Sequence, residues 1–130
     1  MRPLRKPDPG GGGIDLAVLG LGRNGHIGFN EPGTPFESLT HVAQLSEETR
    51  KREAQAFGGL ERVPKKAITM GIRTIMNARE ILLLVSGVEK AEALSHALSG
   101  PITPEVPASV LQLHPRLTML SDQAAVSLLK

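Results

Sequence analysis

The chain has 130 residues, of which 40% are apolar and 22% charged, with a formal net charge of +2, the profile of one ordinary globular domain rather than a two-domain enzyme. Three Phe with no Tyr or Trp leave no stacking platform for single-stranded nucleic acid, and so small a basic excess suits a small anionic ligand better than a nucleic acid. The absence of cysteine excludes disulfides, thiolate metal sites and a Cys nucleophile, and no apolar run exceeds "ILLLV" at 81–85, far short of a membrane span.

In chain order, residues 1–13 contain Pro3, Pro7, Pro9 and four consecutive glycines. They read as a flexible basic, glycine-rich tail, and residues 14–130 as the folded part. No apolar stretch of secretory type opens the chain, so a soluble cytoplasmic protein is expected. "IDLAVLG" (14–20) reads as a buried strand running into glycine. "SLTHVAQLS" (38–46) alternates, with Leu39, His41, Ala43 and Leu45 on one face of a half-buried strand. Ser46 before "EETRKREAQAF" predicts an N-cap and a helix with acids in its first turn. "KAITMGI" (66–72) predicts a strand broken at Gly71, then a helical turn through Met76. "EILLLVSG" (80–87) is a continuous apolar strand of the parallel-sheet kind. "VEKAEALSHALSG" places Ala91, Leu94, Ala97 and Leu98 on one helical face ending at Gly100. "PASVLQLH" reads as a short helix and "RLTMLSD" (116–122) as a last strand. The alternation predicts an α/β fold with a mostly parallel sheet, and such sheets bind ligands at the carboxyl ends of their strands.

That end of the first strand carries "GLGRNGHIGFNEPGTP" (20–35), where Gly20-x-Gly22-x-x-Gly25 spells a dinucleotide fingerprint. The fingerprint needs its glycines to open a helix. Here Gly28 and Gly33 weaken a helix and Pro32 and Pro35 stop one, so the required context is missing. What remains is a glycine-rich loop presenting Asn24, His26, Asn30 and Glu31. A carboxylate on one imidazole nitrogen would fix the tautomer and leave the other nitrogen to move protons. On residue types alone the plainer alternative stays open, a hydrogen-bonded loop histidine beside a solvated acid. Lys90 follows "LLLVSG" in a first helical turn, where backbone N–H groups favour an anion; a solvated surface lysine is the equal alternative. Arg50, Lys51 and Arg52 read as a solvated helix face. His41, His96 and His114 are not spaced as metal ligands, and "LQLHP" reads as packing and a helix stop.

At this loop the chain resembles the glucosamine-6-phosphate deaminases, whose signature is similar to "GLGRNGHIGFNEPGT". The likeness continues through "THVAQLSEETR", "VPKKAITMGIRTIM", "ILLLVSGVEKAEAL" and "PASVLQLHP". The related 6-phosphogluconolactonases carry a "GHTASLFP"-like loop instead. The resemblance implies a three-layer α/β sandwich with a Rossmann-like sheet, of which this chain has the C-terminal part. It implies conversion of glucosamine 6-phosphate and water to fructose 6-phosphate and ammonia, with no metal or organic cofactor. By position His26 corresponds to the ring-opening histidine, Glu31 to its orienting carboxylate, and Lys90 to the lysine that holds the substrate phosphate. Asn24 falls where many relatives have an Asp completing the histidine's hydrogen bonds.

Departures from the family bear on function. Gln55 stands about where the family has a second phosphate-contacting arginine, which implies weaker phosphate affinity. His41 and Ala43 replace the basic residues of allosterically activated members, which argues against that activation. The family's N-terminal half, with a phosphate loop and an "LDEY"-like segment bearing the general base, has no counterpart here; Asp8, Asp15 and Asp122 lack that context. The expectation is therefore a deaminase, either as a fragment of a longer protein or complemented by an N-terminal half or a homo-oligomer. Its alternatives are a truncated, non-catalytic phosphosugar-binding homologue and a related phosphosugar isomerase or lactonase. A half-sheet is expected to expose edges and apolar faces.

Overall fold

The computed structural model describes residues 13–129. The expected tail, Asp8 included, therefore falls outside the described residues except for Gly13. Three strands form a parallel sheet in the order β1–β4–β5: β1 (Leu16–Gly20), β4 (Glu80–Val85) and β5 (Leu117–Ser121). Val18 pairs with Leu82 and Leu82 with Thr118. The apolar run "ILLLV" thus takes the central position, where backbone groups are paired on both sides and continuous β-branched and leucine side chains pack best.

One face of this sheet is the core. Ala17, Leu19, Ile81, Leu83 and Val85 are buried against Ala93, Leu94 and Ala97 of α3 (Ala91–Ser99) and against Ala108 and Leu111 of the 3-10 segment Pro107–Leu113. The expected apolar face of α3 is thereby realised, with Ala93 joining it. Gly100 ends the helix in an extended conformation, not the left-handed one implied by a glycine cap, because Pro101 follows. The opposite face of the sheet is open among the described residues. Leu16, Val18, Leu84 and Leu120 are 52%, 57%, 44% and 57% exposed. "EILLLV" therefore has the composition of a strand covered on both faces and a cover on only one.

β2 (His41–Gln44) and β3 (Lys66–Thr69) do not join the parallel sheet. They form a separate antiparallel pair, with His41 opposite Thr69. Ala43 is buried and Val42 exposed, the alternation read from the sequence. Between them lies α1 (Glu47–Phe57), capped by Ser46, whose Oγ accepts from Thr49 N. After β3, α2 (Ile72–Met76) starts at Gly71, and a Cβ there would overlap the backbone carbonyls of Ser38 and Leu39. The glycine allows the 35–40 loop to lie directly on the start of α2, where Arg73 N donates to Ser38 O. No helix among the described residues is long and apolar enough to cross a membrane.

Candidate active site

The glycine-rich loop leaves the carboxyl end of β1 and turns at once. Gly22 N donates to His26 O at 2.9 Å and Gly25 N to Gly22 O at 3.0 Å. The turn folds the His26 ring back over Gly22, so a Cβ on residue 22 would sit 2.6 Å from Cγ and closer still to Cδ2 and Nε2. The second glycine of the apparent fingerprint thus makes room for an imidazole. The rest of the loop is pinned to neighbouring elements, with Phe29 N donating to Thr69 Oγ1. Ala108 N donates to Gly25 O and Gly33 N to Pro104 O, while buried Asn30 donates to Ile27 O at 2.9 Å and Met70 O at 2.8 Å. Asn30 is thus a structural clamp of the loop.

The His26 ring makes two polar contacts. Nδ1 lies 2.8 Å from Gly28 O, and Nε2 lies 3.3 Å from Arg52 Nη2. A carbonyl oxygen only accepts and a guanidinium only donates. Both contacts are satisfied together by the neutral ring with its proton on Nδ1 and its lone pair on Nε2. That nitrogen is the one able to take a proton from a ligand.

Glu31 does not touch the ring, which corrects the expectation of a direct histidine–carboxylate pair. Its Oε2 accepts from Asn24 Nδ2 at 3.0 Å and its Oε1 from Thr49 Oγ1 at 2.7 Å. Asn24 in turn accepts, through Oδ1, from the backbone N of His26 at 3.1 Å. The physical reason is the tight turn: it points the ring toward Gly22 and Gly28, so the carboxylate reaches the histidine's backbone through Asn24. Asn24 suits this place because an amide can donate to one partner while accepting from the other.

Lys90 ends the 3-10 turn Val88–Lys90 ahead of α3, and its Nζ donates to Leu21 O, beside the residue on which the His26 ring rests. Burial holds its pKa below the ordinary 10.5, the nearby Arg52 and Arg23 guanidiniums lower it further, and Glu89 opposes them. Three cations thus converge beside the histidine loop. The Gly87 N–H, one of the amides at the end of β4, is already taken by the Asp122 carboxylate at 3.0 Å.

The run Arg50–Arg52 divides into three roles. Arg50 Nη2 donates to Leu60 O and Val63 O, tying α1 to the following turn, and Lys51 pairs with Glu47 at the surface. Arg52 turns to the site, which the reading of a solvated face missed, as it missed Thr49 and Arg23. Thr49 and Arg52 are three residues apart, hence on one helical face, and the position of the Ser46 cap was the signal that could have placed them. Arg23, Arg52, Glu47, Glu48 and Lys51 line an adjoining cleft of about 460 Å³. Asp15 pairs with Arg79 at the far, amino end of β1. His114 is buried, with Nε2 2.8 Å from Ala78 O and Nδ1 accepting from Arg116 N, a packing role.

The chain is an α/β protein whose parallel sheet carries, at its carboxyl edge, a pinned glycine-rich loop with an imidazole and converging cations. The chain belongs to the family of glucosamine-6-phosphate isomerases/6-phosphogluconolactonase, whose model matches residues 4–119. It is 60% identical over 116 residues to a glucosamine-6-phosphate deaminase of Shouchella clausii, covering 89% of this chain and 47% of that protein. It is 55% identical to glucosamine-6-phosphate deaminase 1 of Bacillus subtilis, over 90% of this chain and 48% of the relative. Among solved structures, a monomeric glucosamine-6-phosphate deaminase superposes with a TM-score of 0.91 at 52% identity, over 95% of this chain and 52% of that one. The 6-phosphogluconolactonase of Trypanosoma brucei shares the fold, with a TM-score of 0.69 at 24% identity over 93% of this chain and 46% of the other. The chain spans about half the length of the relatives it matches.

Proposed function

We infer that this chain supplies the ring-opening and phosphate-holding half of a glucosamine-6-phosphate deaminase site. The observation that carries the reading is the His26 ring, held by Gly28 O with its Nε2 lone pair toward the cationic cluster of Arg52, Arg23 and Lys90. Opening a sugar ring requires one group to take the proton of the anomeric hydroxyl and return a proton to the ring oxygen. An imidazole with one unprotonated nitrogen does both near neutral pH. Lys90 holds the phosphate at a fixed distance from that nitrogen. Asn24 and Glu31 hold the loop and act on His26 through its backbone. Isomerisation to the ketose and loss of ammonia then need a base for the C2 proton. Asp15 and Asp122, both engaged elsewhere, do not offer one. On this reading the C2 base belongs to a second polypeptide segment, and catabolism of a phosphorylated amino sugar puts the protein in the cytoplasm.

The test measures ammonia and fructose 6-phosphate released from glucosamine 6-phosphate by the chain alone. A parallel sample adds a polypeptide covering the other half of its relatives. Turnover in the mixture, abolished by His26→Ala, is the expected result. A folded, associated mixture that binds the phosphosugar without releasing either product would overturn the deaminase reading in favour of a binding module.

A further inference from the structure

The contact between Arg52 and His26 is not needed to build the loop, which is pinned independently by Ala108, Gly33 and Asn30. Yet the guanidinium sits on the one ring nitrogen that could accept a proton, 3.3 Å from Nε2. We propose that Arg52 is a positioning residue that holds His26 with its proton on Nδ1 and covers the Nε2 lone pair until an anion seated at Lys90 draws the guanidinium away. The inference rests on the phosphosugar reading for the identity of the anion; the geometry of the cover does not.

Three observations support it. First, a donor-only group on Nε2 and an acceptor-only group on Nδ1 select a single tautomer, opposite to the one that free histidine side chains favour in water. Second, Arg52 lies on the face of α1 that also carries Thr49, and Thr49 is bonded to Glu31 at 2.7 Å, so the helix is fixed in rotation relative to the loop. Third, Arg52 is near enough to Lys90 to lower its pKa. Two cations held so close repel each other, and a phosphate between them converts that repulsion into two charge-assisted contacts. The guanidinium then has a better partner than a neutral imidazole, and Nε2 is left open to the sugar. The base is thereby uncovered when a phosphorylated ligand is in place, and an unphosphorylated sugar meets a covered one.

Long-range proton–nitrogen correlation spectra report which ring nitrogen carries the proton, and the chain has only four histidines to assign. The experiment compares the unsubstituted chain with Arg52→Gln and Arg52→Lys at mildly alkaline pH, with and without inorganic phosphate. The Nδ1-protonated form is expected to dominate in the unsubstituted chain and in Arg52→Lys, which keeps a cationic donor. It is expected to fall to the minority in Arg52→Gln. Phosphate is expected to shift the Lys90 and His26 signals in the unsubstituted chain, and in Arg52→Gln to bind about fivefold more weakly and leave His26 unmoved. A tautomer unchanged by Arg52→Gln, or an equal His26 response to phosphate in that variant, overturns the proposal. Phosphate that perturbs neither Lys90 nor His26 overturns both the release step and the phosphosugar reading. The expected tautomer switch together with a complemented enzyme that releases no ammonia overturns the deaminase reading and leaves the role of Arg52 standing.

Discussion

Gly22→Ala is the substitution that isolates the histidine's position from the stability of the fold. A Cβ on residue 22 would lie 2.6 Å from His26 Cγ, whereas carbon atoms in contact stand about 3.5 Å apart or more. The ring must therefore retreat by roughly 1 Å at Cγ, and further at its Nε2 edge. The obstruction is a side chain, so the backbone turn survives. What is lost is the bond between Nδ1 and Gly28 O and the contact with Arg52, about 1 kcal/mol of net stability and a melting shift of about 3–5 °C. On the proposed function the effect on turnover is larger, because a misplacement of about 1 Å in a reacting group costs on the order of 100-fold in rate. Thermal melting and ring carbon–proton spectra of the chain read the first effect, and ammonia release by the complemented enzyme reads the second. A His26 signal that stays in place, with melting unchanged, would refute the packing of the ring over Gly22.

Gly71→Ala meets the opposite kind of obstacle, the Ser38 and Leu39 carbonyls, and backbone cannot rotate aside. We expect a loss of about 3 kcal/mol in urea unfolding, well above that of Gly22→Ala; equal midpoints would refute the close approach. Thr49→Val removes the donor to Glu31 Oε1 and the acceptor of the Ser46 hydroxyl, while the cap from Thr49 N to Ser46 Oγ stays, a cost of about 2 kcal/mol for a bond to a charged acceptor, read as a lowered midpoint in urea unfolding. Lys90 has a folded pKa below its unfolded value. Its ammonium is thus disfavoured by folding at all pH values below the folded pKa, and this penalty is relieved as pH rises through that value toward 10.5. Relative to Lys90→Met, the native chain should gain stability across that window; a gap that widens against it would reverse the assignment. Leu84→Glu on the open sheet face should change the unfolding free energy by less than about 0.5 kcal/mol and raise solubility, both read by urea titration and light scattering.

The elements of the parallel sheet were legible because their signals are local: an uninterrupted apolar run at 81–85, and a strand that meets glycine at residue 20. The loop's importance was legible from the crowding of glycine, asparagine, histidine and glutamate between residues 20 and 33. Two kinds of information were not local. The pairing of β2 with β3 in a sheet of their own depends on a turn around α1 that no alternation of side chains encodes. The partner of His26 depends on the helical phase of α1, set by Ser46, and on a turn that aims the imidazole at its own chain rather than at Glu31. Residue types name the members of such a site, while the backbone decides which of them meet.

Glu31 has both carboxylate oxygens committed, one to the amide of Asn24 and one to the hydroxyl of Thr49. The consequence is mechanical. A segment with glycine at 20, 22, 25, 28 and 33 would by composition be a soft spring, yet the backbone of His26 is tied through Asn24 to Glu31, and Glu31 to Thr49 in the first turn of an eleven-residue helix. Displacement of the His26 backbone is then coupled to displacement of the helix. Backbone motion that would turn the imidazole is resisted two residues upstream of it, at Asn24.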